Sequence, residues 1–225
     1  MIIVSGASRG IGKALCEHFA ERKNCVVGLA RTEISAAYET IECDVTNRES
    51  LLHAQQKIAG CKRPITALVN AAGITAMGLA LSATKEDTSE IIRVNLGGTI
   101  NCCDVFGPML FTQGSGAIIN FSSIAVPLAI KGEAIYAASK AGVEAYTRAL
   151  ALQAADSNVS VNCIAPGPIA TAMLSDKSEQ QIGMVIGQQI LQKQFQKSDI
   201  CDLVELVIQN KSNALTGHIF NVGGV

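Results

Sequence analysis

The chain has no tryptophan and only three tyrosines, and just 16% of its 225 residues are charged. With 48% hydrophobic residues, a chain so poor in charge can bury a sizeable core, and disorder is excluded. A net charge of −1 lacks the cationic excess of a general nucleic-acid surface. No uninterrupted apolar run approaches membrane-spanning length. The opening "MIIVSGASRG" has too short an apolar run, and no basic residue before it, for an export signal, so a cytoplasmic location is expected. Eight cysteines are scattered without a C-x-x-C pair, mostly among apolar neighbours as in "VNCIAPG". That pattern reads as reduced thiols packed in a core. His18, His53 and His218 are too far apart to supply a metal-ligand spacing, and no metal is expected.

What is present is a regular alternation. Short apolar runs ("MIIV", "CVVGLA", "YETIECDV", "ITALVNAAG", "GAIINFSS", "VSVNCIAPG", "GHIFNVGG") are separated by helical patterns such as "GIGKALCEHFAERK" and "AIYAASKAGVEAYTRALALQAAD". Strands alternating with helices predict parallel βαβ units, and runs apolar at nearly every position predict a sheet covered on both faces. The fold class expected is α/β: one doubly wound domain spanning 1–225, with a parallel sheet of about seven strands. Within "KEDTSEIIRVNLGGTINCCDVFGPML", Gly97 and Gly98 weaken a helix in mid-course. Residues 172–200, rich in Gln and Ser, form the one aperiodic segment and are a candidate substrate lid.

"SGASRGIG" follows the first strand and opens the first helix. Gly6, Gly10 and Gly12 suit a tight turn, close backbone approach to a pyrophosphate and close helix-on-strand packing, with the helix N-terminus offering free N–H groups to phosphate. Where an NAD-binding chain would carry an acid, the second strand ends in Arg31, and Arg9 lies in the turn itself. Two guanidiniums beside the adenine ribose favour a 2′-phosphate, so NADP(H) is expected rather than NAD(H).

With these motifs in order, the chain resembles the short-chain dehydrogenase/reductase family over nearly all its length. The turn containing Gly6, Ser8, Arg9, Gly10, Ile11 and Gly12 is similar to the family's Rossmann-type cofactor turn, with Ser5 in the usual Thr place. "CDV" puts Asp44 and Val45 at its adenine-contacting position, and "NAAG" puts Asn70, Ala71 and Gly73 at its turn after strand 4. "APGPIATAM" resembles its nicotinamide segment, with Pro166, Gly167, Ile169 and Thr171. "VNL" supplies Asn95, and "NFSS" followed by "YAASK" supplies Ser123, Tyr136 and Lys140. Only twelve residues separate Arg31 from Asp44, so the helix usual there is expected to shrink to a loop or a single turn.

Tyr136 and Lys140 are one helical turn apart on one face. A neighbouring ammonium favours a phenolate, so Tyr136 is expected to titrate below its usual value of about 10 and to serve as general acid in carbonyl reduction. Ser123, just past the fifth strand, can donate to the substrate oxygen. The resemblance implies two further roles, Lys140 on the nicotinamide ribose and Asn95 holding a water that links Lys140 to solvent. A Ser–His hydrolytic reading finds no partner, since His53 and His218 are remote from these motifs in sequence. A non-catalytic relative would be expected to have lost Tyr or Lys, and this chain keeps both.

The resemblance is strongest to the 3-oxoacyl-[acyl-carrier-protein] reductase branch of fatty acid biosynthesis. It implies a carrier-bound 3-oxoacyl thioester as substrate, a free small ketone or steroid being the alternative. The loops "LFTQGSG" and "ADSNVS" lack the basic residues that an acidic carrier would favour. The Ala-rich helix, with Ala137, Ala141, Ala145 and Ala149 along one face, suggests burial on two sides and a homo-oligomer, dimer or tetramer. The small residues Ala134, Ala137, Ala138 and Gly142 are expected to leave room for cofactor and close packing.

Overall fold

The computed structural model describes residues 1–32, 34–75, 83–170, 178–210 and 214–225. Seven strands form one sheet in the order β3-β2-β1-β4-β5-β6-β7, every neighbouring pair parallel. They are β1 (Ile2–Ser5), β2 (Val26–Ala30), β3 (Glu39–Glu42), β4 (Ala67–Asn70), β5 (Gly116–Phe121), β6 (Val159–Ala165) and β7 (Ile219–Asn221). Alternate side chains of one strand feed two cores. Ile3 joins a cluster with Leu51, Ala54 and Ile58 of α2 (Arg48–Gly60), Phe106 and Leu110 of α4 (Gly98–Gln113) and Leu150 of α6 (Ala134–Gln153). Ile2 and Val4 join Leu15 and Phe19 of α1 (Gly10–Glu21) and Ile200, Val204 and Val207 of α8 (Lys197–Ile208). Covering both faces removes the demand for polar alternation, which is why the inner strands read as nearly continuous apolar runs, whereas the edge strand β3 keeps Glu39 and Glu42 exposed.

The chain runs outward from β1 in both directions, so the carboxyl ends of β1 and β4 mark a switch point, where open sheets of this kind bind ligands. Among the described residues no helix joins β2 to β3. Instead, the Tyr38 hydroxyl donates to the Ala7 carbonyl at 3.2 Å and its ring covers Gly28, where an added Cβ would lie 2.9 Å from it.

Three elements depart from the expected pattern. The long helical run is interrupted by a π-helical turn, Arg93–Gly97, between α3 (Lys85–Ile92) and α4. A short helix, α5 (Ala125–Leu128), follows β5. The expected lid contains α7 (Glu179–Ile186), started by a capping box between Ser178 and Gln181, and its last four residues belong to α8. Residues 172–177, and Thr171 with them, lie outside the described residues.

All eight cysteines are free thiols, and six are buried. Among the described residues the one grouping of metal-ligand type is His18, Asp202 and Glu205. His18 Nε2 lies 2.7 Å from Glu205 Oε2, and Arg22 Nε sits 3.2 Å from that same oxygen, so Glu205 of α8 is tied to α1 by the His18 hydrogen bond and to the residue after it by the Arg22 ion pair. No helix among the described residues is long and apolar enough to cross a membrane.

Candidate active site

The carboxyl ends of β1, β4, β5 and β6 open onto two cavities that share Ile11, Ala71, Gly73, Ile74 and Thr75 and so form one continuous groove. The outer part is lined by Gly6, Ser8, Arg9, Gly10, Arg31, Asp44 and Val45, as the sequence led us to expect. Leu29, Thr46, Glu90 and Arg93 join them; the sequence offered no motif for these four. Gly6 has φ +73°, and a Cβ there would lie 2.8 Å from the Ala72 backbone, so the turn after β1 closes directly on the turn after β4. Gly12 does not line the groove. A Cβ on it would collide with the Gly6 carbonyl oxygen, and its role is to let α1 pack against the strand end.

Arg9 precedes α1 in an extended conformation, and its side chain makes no capping bond. The free N–H groups of the first turn therefore face the groove, where an anion would complete them. Thr75 Oγ1, at the junction of the two cavities, is buried with no partner among the described residues. An uncapped helix start, a backbone cradle without Cβ atoms and an orphan hydroxyl fit a dinucleotide laid along the groove. Burial works against ionisation of Asp44. Hydrogen bonds from Thr46 N (2.9 Å) and Oγ1 (2.8 Å), with the charges of Arg93 and Arg31, outweigh it and hold the carboxyl below its usual range.

The turn also spells G-x-S-x-G through Gly6, Ser8 and Gly10, the pattern of a hydrolase elbow. No histidine lines either cavity among the described residues, so Ser8 has no base.

The inner cavity brings together Ser123, Tyr136, Lys140, Pro166, Gly167 and Ile169. Ser123 is fixed by α5, whose Ala125 N donates to its Oγ at 3.1 Å. Beside it, Ser122 Oγ donates to Glu144 of α6 at 2.7 Å, tying the end of β5 to the helix that carries Tyr136. Lys140 Nζ lies 5.9 Å from the Tyr136 ring centroid and donates to the Phe121 carbonyl at 2.9 Å.

The expected lowering of the Tyr136 pKa is not found in the chain alone. Burial pushes it up to about 12, a hydrogen bond from Ser123 opposes the rise, and the charge of Glu133 adds to it. Burial likewise pushes Lys140 down to about 8. Each group resists the charge that would help the other when both are buried without a ligand.

Lys140 should hold fewer protons folded than unfolded between about pH 8 and the usual lysine value of 10.5. Stability then rises with pH across that window, and below it the buried ammonium costs stability. Lys140→Met is therefore expected to raise the unfolding free energy at pH 7 by up to about 2–3 kcal/mol, and the melting temperature with it, and by less at pH 10. Calorimetry at the two pH values checks this; a pH-independent difference would contradict it.

Asn95 is fully buried in the π-helical turn. Its Oδ1 accepts from Ile74 N at 2.8 Å, while Nδ2 donates to Ile74 O (2.9 Å) and to Ser139 Oγ (3.0 Å). The side chain thus clamps the groove wall next to Thr75. A Cβ on Gly73 would lie 3.3 Å from Asn95 Oδ1 and 3.5 Å from Lys140 Nζ, so the three meet at the cavity floor. Asn70 differs from expectation. Its side chain turns into the sheet, where Nδ2 donates to Asn120 Oδ1 at 2.8 Å and to Cys103 Sγ at 3.2 Å, and it lines neither cavity. A side chain on a strand's last residue can point into a core as readily as toward a ligand. Of the small residues of α6, Gly142 packs closely against Leu96, whereas Ala134 and Ala138 are exposed on the outer surface.

Residues 1–182 match the short chain dehydrogenase family. Carbonyl reductase family member 4 of Xenopus laevis is 33% identical over 230 residues, 98% of this chain and 95% of that protein. The 3-oxoacyl-[acyl-carrier-protein] reductase FabG of Staphylococcus aureus is 30% identical over 235 residues, 99% and 96% of the two chains. The ligand-free aldohexose dehydrogenase of Thermoplasma acidophilum superposes with a TM-score of 0.89 at 28% identity, covering 99% of this chain and 92% of that one. The parallel sheet, its glycine turn and the match along four-fifths of the sequence lead to one assignment: the chain belongs to the short-chain dehydrogenase family of nicotinamide-dependent oxidoreductases.

Proposed function

We propose that the chain reduces a ketone to a secondary alcohol using NADP(H), with a 3-oxoacyl thioester on a carrier as the first substrate class to test. The observation that carries the reaction is the meeting of Ser123, Tyr136 and Lys140 in one buried cavity continuous with the groove from α1. When bound, the coenzyme supplies the hydride. Ser123 donates a hydrogen bond to the carbonyl oxygen and stabilises its developing charge. Tyr136 delivers its phenolic proton to that oxygen, leaving a phenolate that the Lys140 ammonium favours. Asn95 holds Ile74 and Ser139, keeping the floor beneath Lys140 in register. Ile11, Ile124, Ile169 and Val185 line the cavity and limit water around the reacting carbon.

Arg9 and Arg31, both exposed at the outer groove, support the 2′-phosphate reading. Arg31→Ala is expected to raise KM for NADPH roughly 10- to 100-fold and to leave KM for NADH nearly unchanged, since a bond to a charged group is lost only with the phosphate. Coenzyme oxidation at 340 nm with acetoacetyl thioester or a simple diketone tests both points; a wild-type preference for NADH would overturn the assignment. The residues that line the inner cavity from α7, Gln181, Ile182 and Val185, support a lid role for that helix. Its outer side and the exposed face of α6, with Ala145, Ala149 and Leu152 (81% exposed), support self-association, which light scattering reads directly. A free ketone is the second reading, favoured by the mostly apolar lining of the inner cavity, with Ile124, Ile130, Ile169, Ile182 and Val185.

A further inference from the structure

Glu144 is a buried acid in the middle of α6 that the chemistry above leaves unassigned; only 9% of its surface is exposed. Tyr136, Lys140 and Glu144 follow one another at intervals of four, so they share one face of α6. That face meets three consecutive residues at the end of β5. Lys140 Nζ donates to Phe121 O at 2.9 Å, Ser122 Oγ donates to Glu144 Oε1 at 2.7 Å, and the Ser123 hydroxyl hydrogen-bonds Tyr136. The Ser122 hydroxyl has one proton to give, and its other acceptor, Lys140 O, is farther off at 3.4 Å. The second oxygen of Glu144 faces Arg148 at 4.0 Å, and that arginine is half exposed.

A carboxylate set against a sheet is costly to bury unless donors face it, and the core-facing stripe of a helix is ordinarily apolar. Of the three ties, two are drawn on by the reaction: Ser123 turns its proton to the substrate oxygen, and Lys140 serves the phenolate. The tie from Ser122 to Glu144 is the one that the chemistry leaves alone. We infer that Glu144 is a positioning residue: through Ser122 it holds the end of β5 against α6 and keeps the Ser123 hydroxyl opposite Tyr136 during turnover. This deepens the ketone-reductase reading and rests on it. The path from Ser122 to the Ser123 hydroxyl is short. Ser122 N donates to Ile164 O at 2.8 Å, Ile124 N to Pro166 O at 3.1 Å, and Ala125 N to Ser123 Oγ at 3.1 Å. The Ser123 hydroxyl is thus aimed by its own segment, and Ser122 is where that segment is pinned to α6. A displacement of about 1 Å between a polarising hydroxyl and a proton donor is enough to cost roughly 100-fold in rate.

The test joins kinetics to an amide reporter. Glu144→Leu fills similar space without an acceptor and is expected to lower kcat for ketone reduction roughly 10- to 100-fold, with NADPH affinity nearly unchanged. Glu144→Gln, which keeps the acceptor without the charge, should restore most of the rate. Ser122→Ala should match Glu144→Leu, and the double variant should lose no more than either, because both remove the same tie. Arg148→Ala is the control and should keep the wild-type kcat; a loss as large as that of Glu144→Leu would assign the effect to the ion pair and overturn the inference. So would a Glu144→Leu protein that melts earlier with kcat per folded molecule unchanged, since the tie would then be structural only. Losses that multiply in the double variant, or no recovery in Glu144→Gln, would overturn it as well. The Ala125 amide reads the same event without turnover, because its acceptor is the Ser123 oxygen. Its hydrogen exchange in the coenzyme-loaded protein, followed by NMR, should be faster in Glu144→Leu and Ser122→Ala and like wild type in Glu144→Gln. That pattern in a protein that reduces no ketone would reject the reductase reading and uphold the positioning. Equal exchange in every variant, with turnover in the wild type, would reject the positioning alone.

Discussion

Tyr136→Phe is expected to lower kcat by about 10²- to 10⁴-fold, the range of a positioned general acid, while NADPH binds as in the wild type. The substitution removes one oxygen and keeps the buried ring, so the packing of α6 against the sheet survives. What disappears is the proton donor and the partner of the Ser123 hydroxyl. The effect should fall on kcat more than on coenzyme affinity, because the groove that cradles the dinucleotide is built from other elements: the turn after β1, the N-terminus of α1 and the end of β4. NADPH fluorescence titration and the 340 nm assay separate the two quantities. Unimpaired turnover in the variant would remove Tyr136 from the chemistry altogether.

Gly12→Ala should act in the complementary way, on stability and coenzyme binding together. The new methyl would collide with the Gly6 carbonyl oxygen and lie 2.8 Å from its carbonyl carbon and 3.1 Å from Ser5 O. All three are backbone atoms, so no rotamer change can relieve the clash; α1 must move off the strand end. Overpacking of this kind costs about 1–3 kcal/mol, a fall in Tm of roughly 2–4 °C per kcal/mol for a chain of this size. Because the helix start and the Gly6 turn form opposite sides of the phosphate cradle, NADPH affinity should drop at least about tenfold, a loss of only about 1.4 kcal/mol. Gly10→Ala is the control. Gly10 has φ +62° but open space around its Cβ position, so only backbone strain of about 1–2 kcal/mol opposes the change. Thermal melts with and without NADPH distinguish the two; equal behaviour would mean that the packing argument is wrong.

The sheet was legible because it is covered on both sides. A strand such as β2, buried at all five positions, leaves an unbroken apolar run. The pair Tyr136 and Lys140 was legible because helical spacing is enough to place two side chains on one face. Their titration was not, since it depends on burial and on Glu133, neither of which spacing conveys. Asn70 was misplaced because its partners, Asn120 on the neighbouring strand β5 and Cys103 on α4, are far away in sequence. α8 carries a readable stripe at Ile200, Cys201, Val204 and Val207, obscured by the Gln-rich segment before it. The two cavities also recruit Thr75, Glu90 and Arg93 from segments with no motif, whose position only the closed fold reveals.

The π-helical turn at Arg93–Gly97 sets the phase of everything after it. A wide turn takes up about one more residue than an α-turn before it comes round to the same side, so it works like an extra tooth in a gear train. Upstream it meshes Asn95 with Ile74; downstream it leaves Cys102, Val105, Phe106 and Leu110 facing the core. Removing a single residue there would let the turn relax to ordinary pitch with the remainder of α4 still in phase, and the loss would fall on Asn95 and its hold on Ile74. The core and the groove wall can both be served only while that residue is present, so chain length at this one turn is as binding a constraint as any side chain in the site.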